Sequence, residues 1–207
     1  MTLVTLAIVA YLIGSIPFAV LVSRVFALPD PRSYGSGNPG ATNVLRTGNK
    51  AAAALTLLSD VAKGWLGVHV AQRFADPGAL ELTAAVAAVA VCIGHMYSVF
   101  LRFDGGKGVA TALGVLAALD VYVAAGTLAI WLVIAIFFRI SSLAALASAA
   151  FAPFLSFLLY GMSRTALEPA IAVAVVAVLV VWRHRSNIRN LMAGTEGKMR
   201  GSGPGAG

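Results

Sequence analysis

Apolar residues run along this chain in blocks long enough to cross a membrane. Stretches at 2–23, 51–72, 82–101, 109–138, 143–160 and 166–182 carry few charges. A transmembrane helix needs about 20 such residues to cross about 30 Å of hydrocarbon. The stretch 109–138 is too long for one ordinary span, and it contains Asp120. An acid in lipid is costly unless it reaches an interface or a partner. The stretch therefore reads as two helices turning near Asp120. The first is short and either begins within the preceding glycine loop or tilts little. The pattern predicts an all-α integral membrane protein with seven transmembrane helices.

Composition supports this reading. Of 207 residues, 59% are hydrophobic and 11% charged, against about 25% charged in an ordinary soluble domain. Too little polar surface remains to cover a water-soluble globule, and disorder needs the opposite composition. A single cysteine, Cys92, excludes a disulfide framework and a cysteine-rich metal site. The net charge of +7 would suit a nucleic-acid binder if it lay on a soluble face. Here it reads as loop charge, and no nucleic-acid partner is expected.

Basic residues concentrate in cytoplasmic loops of membrane proteins. Arg24, Arg32, Arg46 and Lys50 lie between spans one and two, Arg102 and Lys107 after span three, and Arg139 after span five. Arg183, Arg185, Arg189, Lys198 and Arg200 follow span seven. The opposite loops hold Arg73 and Arg164, accompanied by Asp76, Glu81 and Glu168. Seven spans put every basic loop on one side, with the N-terminus outside and the C-terminus cytoplasmic. The first 23 residues contain no Lys or Arg, so they lack the positive region of a signal peptide and are read as a membrane helix. Residues 1–198 form one membrane domain, and 199–207 read as a flexible glycine-rich tail.

Three polar clusters fall on the cytoplasmic side: GSGNPGATNVLRTG (35–48), DGGKG (104–108) and RHRSNIRNLMAGTEGK (183–198). In the first, glycines let backbone amides converge on an anion. Ser36, Asn38, Thr42 and Asn43 add neutral polar groups, and Arg46 adds a bidentate fork suited to phosphate. GSGNPG fits the dinucleotide glycine pattern, but that motif must follow a strand, and this one joins two membrane spans. A plain turn needs only two or three such residues. In the second cluster, Gly105, Gly106, Lys107 and Gly108 open a helix, where amides, dipole and ammonium favour phosphate. A positive-inside anchor with a glycine hinge is the competing reading. In the third, His184 could be a base, a donor to phosphate or an interfacial residue, with Asn187 beside it. Arg183 and Arg185 fit equally well as ordinary helix-end charges, and Glu196 as a solvated acid or a brace for the tail. Ser141 and Ser142 follow Arg139 on the same side. His95 reads as a packed helix-end residue, and Asp60 with Lys63 as a structural pair on one helical face. No metal-ligand spacing and no Ser-His-Asp set can be assigned, so neither metal nor cofactor is expected. The clusters describe phosphate-binding loops at a membrane surface with no obvious nucleophile. That suits direct transfer between a soluble anionic substrate and a lipidic one.

SGNPGATNVLRTG, GHMYSVFLRFDGGKGVATALGV and RHRSNIRNLMAGTE closely resemble the three signature regions of the bacterial membrane glycerol-3-phosphate acyltransferase family that uses acyl phosphate (PlsY). Order and spacing match over about residues 1–198. The resemblance implies transfer of a fatty acyl group from acyl phosphate to the 1-hydroxyl of sn-glycerol 3-phosphate, the first acylation in phospholipid synthesis. Products would be lysophosphatidic acid and phosphate. It implies a bacterial inner-membrane location, a cytoplasmic active site and a functional link to the enzyme that makes acyl phosphate. Carried over by motif, the catalytic and substrate-binding positions are Ser36, Arg46, Lys107, Ser142, His184 and Asn187. Gly37, Asn38, Gly40 and Asn43 shape the first loop, and Gly105, Gly106 and Gly108 the second. The resemblance alone selects Ser142 over Ser141. The rival reading, a phosphate or organic-phosphate transporter, would lead us to expect repeated halves and polar residues near the midplane. The polar clusters lie at one surface instead, and no repeat is evident.

Overall fold

In the computed structural model the described residues are 1–160 and 167–199, so Arg164, Arg200 and the rest of the expected tail lie outside them. The helices are α1 (Leu3–Ser15), α2 (Phe18–Val25), α3 (Ala41–Val44), α4 (Lys50–Phe74), α5 (Leu80–Met96), α6 (Val109–Leu119), α7 (Val121–Phe138), α8 (Ser141–Tyr160), α9 (Leu167–Arg183) and α10 (Arg185–Met192). Among the described residues five units are long and apolar enough to cross a membrane: 3–25, 50–74, 77–101, 121–138 and 141–159. The pair α9–α10, bent by 59°, is a sixth if taken as one span. Helix α6, with 11 residues, is about 16 Å long at 1.5 Å per residue, short of a full crossing.

The outer surface is apolar, with Phe137 80% and Phe157 70% exposed, as lipid contact requires. The interior is built from small residues: Ala10, Ala84, Ala87 and Ala88 are fully buried or nearly so. Without a hydrophobic driving force between helices in lipid, close backbone packing has to hold them together. Two reciprocal glycine contacts do this. A side chain at Gly14 of α1 would fall on the Val91 carbonyl of α5, and one at Gly94 of α5 on the Tyr11 carbonyl of α1. Likewise Gly64 of α4 meets the Thr111 carbonyl of α6, and Gly114 of α6 the Val61 carbonyl of α4. The second contact seats the short helix α6 and hence the loop that leads into it.

Asp120 lies where the sequence requires a turn. Its Oδ1 accepts the amides of Tyr122 at 2.6 Å and Val123 at 2.9 Å, capping α7, while its own amide ends α6 on the Leu116 carbonyl. Two features were not expected. The first span breaks at Ile16–Pro17, where the proline cannot donate to the helix. The last span turns sharply at His184. Met199, assigned to the tail from sequence, donates its amide to the Arg139 carbonyl at 2.6 Å.

Forcing a side chain into a glycine contact should split these helices. Gly14→Val and Gly114→Val should each lower stability by at least about 1–3 kcal/mol, read as a fall in thermal midpoint in detergent. Gly78→Ala, whose added methyl meets nothing within 4 Å, should change stability by less than about 0.5 kcal/mol.

Candidate active site

The first loop is folded around Asn43. This side chain is 2% exposed. Its Oδ1 accepts the Ser36 amide at 3.0 Å, and its Nδ2 donates to the Pro31 and Tyr34 carbonyls at 2.6 and 3.2 Å. Gly35, at φ +59°, passes so close to Asn43 Oδ1 that no side chain would fit. The brace presents Ser36 and Asn38 at one edge of the loop. Gly40 leads into α3, and Arg46 sits in the 3₁₀ turn that follows.

The second loop returns onto the end of α5. Gly105 donates its amide to the Met96 carbonyl and Gly106 to the His95 carbonyl, each at 3.1 Å. Helix ends leave their last carbonyls without partners, and in a membrane each must find one. From the other side, Arg183 Nη2 donates to the Gly105 carbonyl at 2.7 Å and Nε to the Gly106 carbonyl at 3.2 Å. Its guanidinium also lies over the Tyr97 ring. Gly105 and Gly106 are therefore buried supports whose amides are already engaged, and Lys107 and Gly108 are the members that reach the cavity. Burial pushes the Lys107 ammonium below the usual lysine range, opposed by the Glu196 carboxylate.

The third cluster is arranged by the bend between α9 and α10. His184 is 3% exposed, and its Nδ1 lies 2.7 Å from the Val180 carbonyl. A carbonyl only accepts, so Nδ1 carries the proton and Nε2 is the remaining acceptor of the neutral ring. Asn187 Oδ1 accepts from Lys107 Nζ at 2.5 Å, and Asn187 Nδ2 donates to Glu196 Oε1 at 2.6 Å. Ser142 Oγ donates to the same Oε1 at 2.6 Å. Burial works against the Glu196 carboxylate, but these hydrogen bonds hold it below the usual carboxylate range.

One cavity of about 700 Å³ brings the clusters together. Ser36, Asn38, Gly40, Asn43, Arg46, Lys107, Gly108, Ser142, His184 and Asn187 all border it. Of the expected site residues, Gly37, Gly105 and Gly106 do not. Beyond the polar end the walls are aliphatic and aromatic: Leu113 and Leu116 of α6, Trp131 of α7, Ala149 of α8 and Val176 of α9. Sequence reasoning missed Arg183 as the clamp of the glycine loop, because a basic residue ending a membrane helix is commonplace. It also left Glu196 undecided. The spacing of Ser142, Asn187 and Glu196 carries no local signal, since they meet only through the fold.

A polytopic helical bundle, with cations and hydroxyls at one end of a cavity and apolar walls at the other, defines an integral membrane protein with an amphipathic internal site. Comparison with known proteins narrows the class. The glycerol-3-phosphate acyltransferase family model matches residues 4–194. A glycerol-3-phosphate acyltransferase of Ralstonia nicotianae is 57% identical over 95% of this chain and 93% of its own. That of Bordetella pertussis is 56% identical over 94% and 90%. Two crystal structures of PlsY (YgiH), an integral membrane glycerol 3-phosphate acyltransferase, superpose on it. The glycerol 3-phosphate form has a TM-score of 0.86 at 34% identity, and the lysophosphatidic acid form 0.84 at 33%; each match covers 95% of this chain and 94% of the other. The chain belongs to the glycerol-3-phosphate acyltransferase family, membrane enzymes of phospholipid synthesis.

The Arg183 clamp gives a test of the site's architecture. Arg183→Met strips two charge-assisted hydrogen bonds from buried carbonyls and should cost at least about 1.5–3 kcal/mol in thermal unfolding. Arg185→Met, which loses an exposed stack on Trp182 and one long, exposed hydrogen bond to its carbonyl at 3.4 Å, should cost about 1 kcal/mol or less.

Proposed function

We propose that the protein is an acyl-phosphate:glycerol-3-phosphate acyltransferase, joining a fatty acyl group to the 1-hydroxyl of sn-glycerol 3-phosphate. The observation that carries this reading is the single cavity in which Arg46, Lys107, His184 and Asn187 border a groove of apolar side chains. The forms in which the related PlsY was crystallised, with glycerol 3-phosphate and lysophosphatidic acid, fit the acceptor and product so assigned.

The hydroxyl oxygen of glycerol 3-phosphate attacks the acyl carbonyl carbon. The bond from that carbon to the phosphate oxygen breaks, and lysophosphatidic acid and inorganic phosphate leave. Acyl phosphate is a mixed anhydride and already activated, so the enzyme mainly positions two substrates and neutralises charge. Arg46, with Ser36, His184 and Asn187, holds the glycerol phosphate. Lys107, with the Gly108 amide, holds the donor phosphate, whose charge favours the ammonium form that burial opposes. Ser142 is held at the same end of the cavity by Glu196, and the acyl chain lies along α6, α7, α8 and α9. The hydroxyl proton goes either to His184 Nε2 or to a substrate phosphate oxygen. No covalent carrier is required.

The same reading sets the chain in a bacterial inner membrane as one domain over residues 1–198, crossing seven times with α6 as a short crossing. The N-terminus lies outside, and the cavity's polar end opens to the cytoplasm. A partner enzyme supplies the acyl phosphate. The asymmetry of basic loops supports this orientation. In a Cys92-free background, a cysteine at position 38 should resist an impermeant reagent added to intact cells, and one at position 78 should react. The reverse pattern contradicts the orientation.

Purified protein given acyl phosphate and glycerol 3-phosphate should release phosphate and form a lipid-extractable product. Acyl-CoA, whose carbonyl bears a thioester in place of the leaving phosphate that Lys107 recognises, should be refused. Loss of Arg46 or Lys107 should cost about 30- to 1000-fold in kcat/KM, equivalent to about 2–4 kcal/mol. Arg46→Lys should rescue poorly because the fork is gone, and Arg73→Ala should change little. His184→Ala separates the proton routes. A fall of about 100-fold or more in kcat, with loss of an acidic limb, marks the ring as base. A rise in KM for glycerol 3-phosphate with kcat largely retained marks it as a binding group. Unmodified label accumulating in vesicles, with none in lipid, would replace the transferase with a transporter.

A further inference from the structure

Three titratable side chains outside the proposed substrate contacts converge inside the helix bundle. Asp60 and Lys63 lie one turn apart on α4, each 3% exposed, with Lys63 Nζ 2.8 Å from Asp60 Oδ1. Lys63 Nζ also donates to the Ile16 carbonyl at 2.8 Å, at the break between α1 and α2. His95, 8% exposed near the end of α5, sets its Nδ1 3.6 Å from the same Asp60 oxygen. A buried ion pair is weak evidence for stability, because a packed apolar pair of similar volume often does as well. Ionisable residues kept within membrane helices usually serve a function.

The cluster's position indicates which function. On its far side, the His95 ring rests against Gly106 so closely that a side chain there would fall on Nε2. The His95 carbonyl accepts the Gly106 amide at 3.1 Å. A narrow cavity of about 10 Å³ is bounded jointly by Asp60, Lys63, His95 and Gly106. One residue further along, Lys107 enters the large cavity. The glycine loop is thus held between two elements, Arg183 on its carbonyls and His95 on its backbone.

We propose that Asp60, Lys63 and His95 are positioning residues for the second phosphate loop. Lys63, tied to the Ile16 carbonyl, fixes the Asp60 carboxylate. That charge orients the His95 ring across 3.6 Å, beyond hydrogen-bond length. The ring then fixes the path of Gly105–Gly106, and with it the place where Lys107 Nζ and the Gly108 amide meet phosphate. Asp60 and His95 also border the large cavity; the role assigned to them is exerted through the loop. The inference rests on the reading of Lys107 as a donor-phosphate ligand.

The test is a double-mutant cycle on the purified protein, with thermal midpoint recorded for each variant. Asp60→Asn and His95→Gln should each lower kcat/KM for acyl phosphate about 10- to 100-fold, the scale of a misplaced reacting group. KM for glycerol 3-phosphate should stay within about 3-fold, and Lys63→Arg, which keeps the charge, should retain most activity. In a Lys107→Ala background, either substitution should add less than about 3-fold, because the loop they position has lost its ligand. Full additivity, equal rises in both KM values, or activity losses that track the thermal midpoint would overturn the proposal. If Asp60→Asn does not fold, His95→Gln completes the cycle alone. A second arm uses inorganic phosphate as probe. With glycerol 3-phosphate saturating the other phosphate site, its stabilisation of the wild type should vanish with Lys107→Ala and need about 10-fold more phosphate in Asp60→Asn. Wild type that binds phosphate without transferring acyl groups would sink the acyltransferase reading alone. Wild type that transfers, with donor kinetics unchanged in Asp60→Asn and His95→Gln, would sink the positioning role alone.

Discussion

A membrane interior supplies no water, so the last carbonyls of each helix must find partners within the protein. At the end of α5 that requirement is met by the amides of Gly105 and Gly106. Much of the site follows from this return of the chain. It places Lys107 at the cavity, 80 residues in sequence from the Asn187 it touches. It also turns the carbonyls of Gly105 and Gly106 outward, where Arg183 takes both. Only glycine could make the turn, since side chains at 105 or 106 would overlap the His95 backbone or ring. A motif that looks like an anion nest in the sequence is therefore half support: two glycines dock on the end of α5, and the next two residues border the cavity.

Local pattern made some of this legible. Asp120 inside an apolar run had to mark a turn, and it caps α7. The family resemblance, not the local pattern, implied that Asn43 shapes its loop, and it braces that loop with three hydrogen bonds. The break at Ile16–Pro17 escaped notice because one proline in an apolar block leaves the hydropathy unchanged. Other features were illegible because they are long-range. Glu196 joins Ser142 and Asn187 across 54 and 9 residues, and nothing in its own neighbourhood distinguishes it from a solvated acid. Ser142 rather than Ser141 was selected by family resemblance, and its partner became visible only in the fold. Arg183 was obscured by a general rule, that membrane helices end in basic residues, which hides the particular case.

The cavity suits the direct transfer proposed above. Polar side chains from all three signature regions meet at one end of a space whose other walls are apolar. An activated donor and an alcohol held there need approach and charge neutralisation more than covalent catalysis. The short helix α6 makes this geometry possible. Seated on α4 by the Gly64 and Gly114 contacts, it carries Lys107 and Gly108 at its start and lines the apolar groove with Leu113 and Leu116. One element thus borders both the polar end and the apolar groove of the cavity.

The central claim is that donor and acceptor occupy the cavity together and react directly. Initial rates measured while acyl phosphate and glycerol 3-phosphate are varied against each other test it most directly. Direct transfer predicts double-reciprocal lines that intersect, with no acyl group bound to protein after rapid denaturation in the absence of acceptor. Parallel lines, or a covalent acyl-protein recovered from that quench, would contradict it.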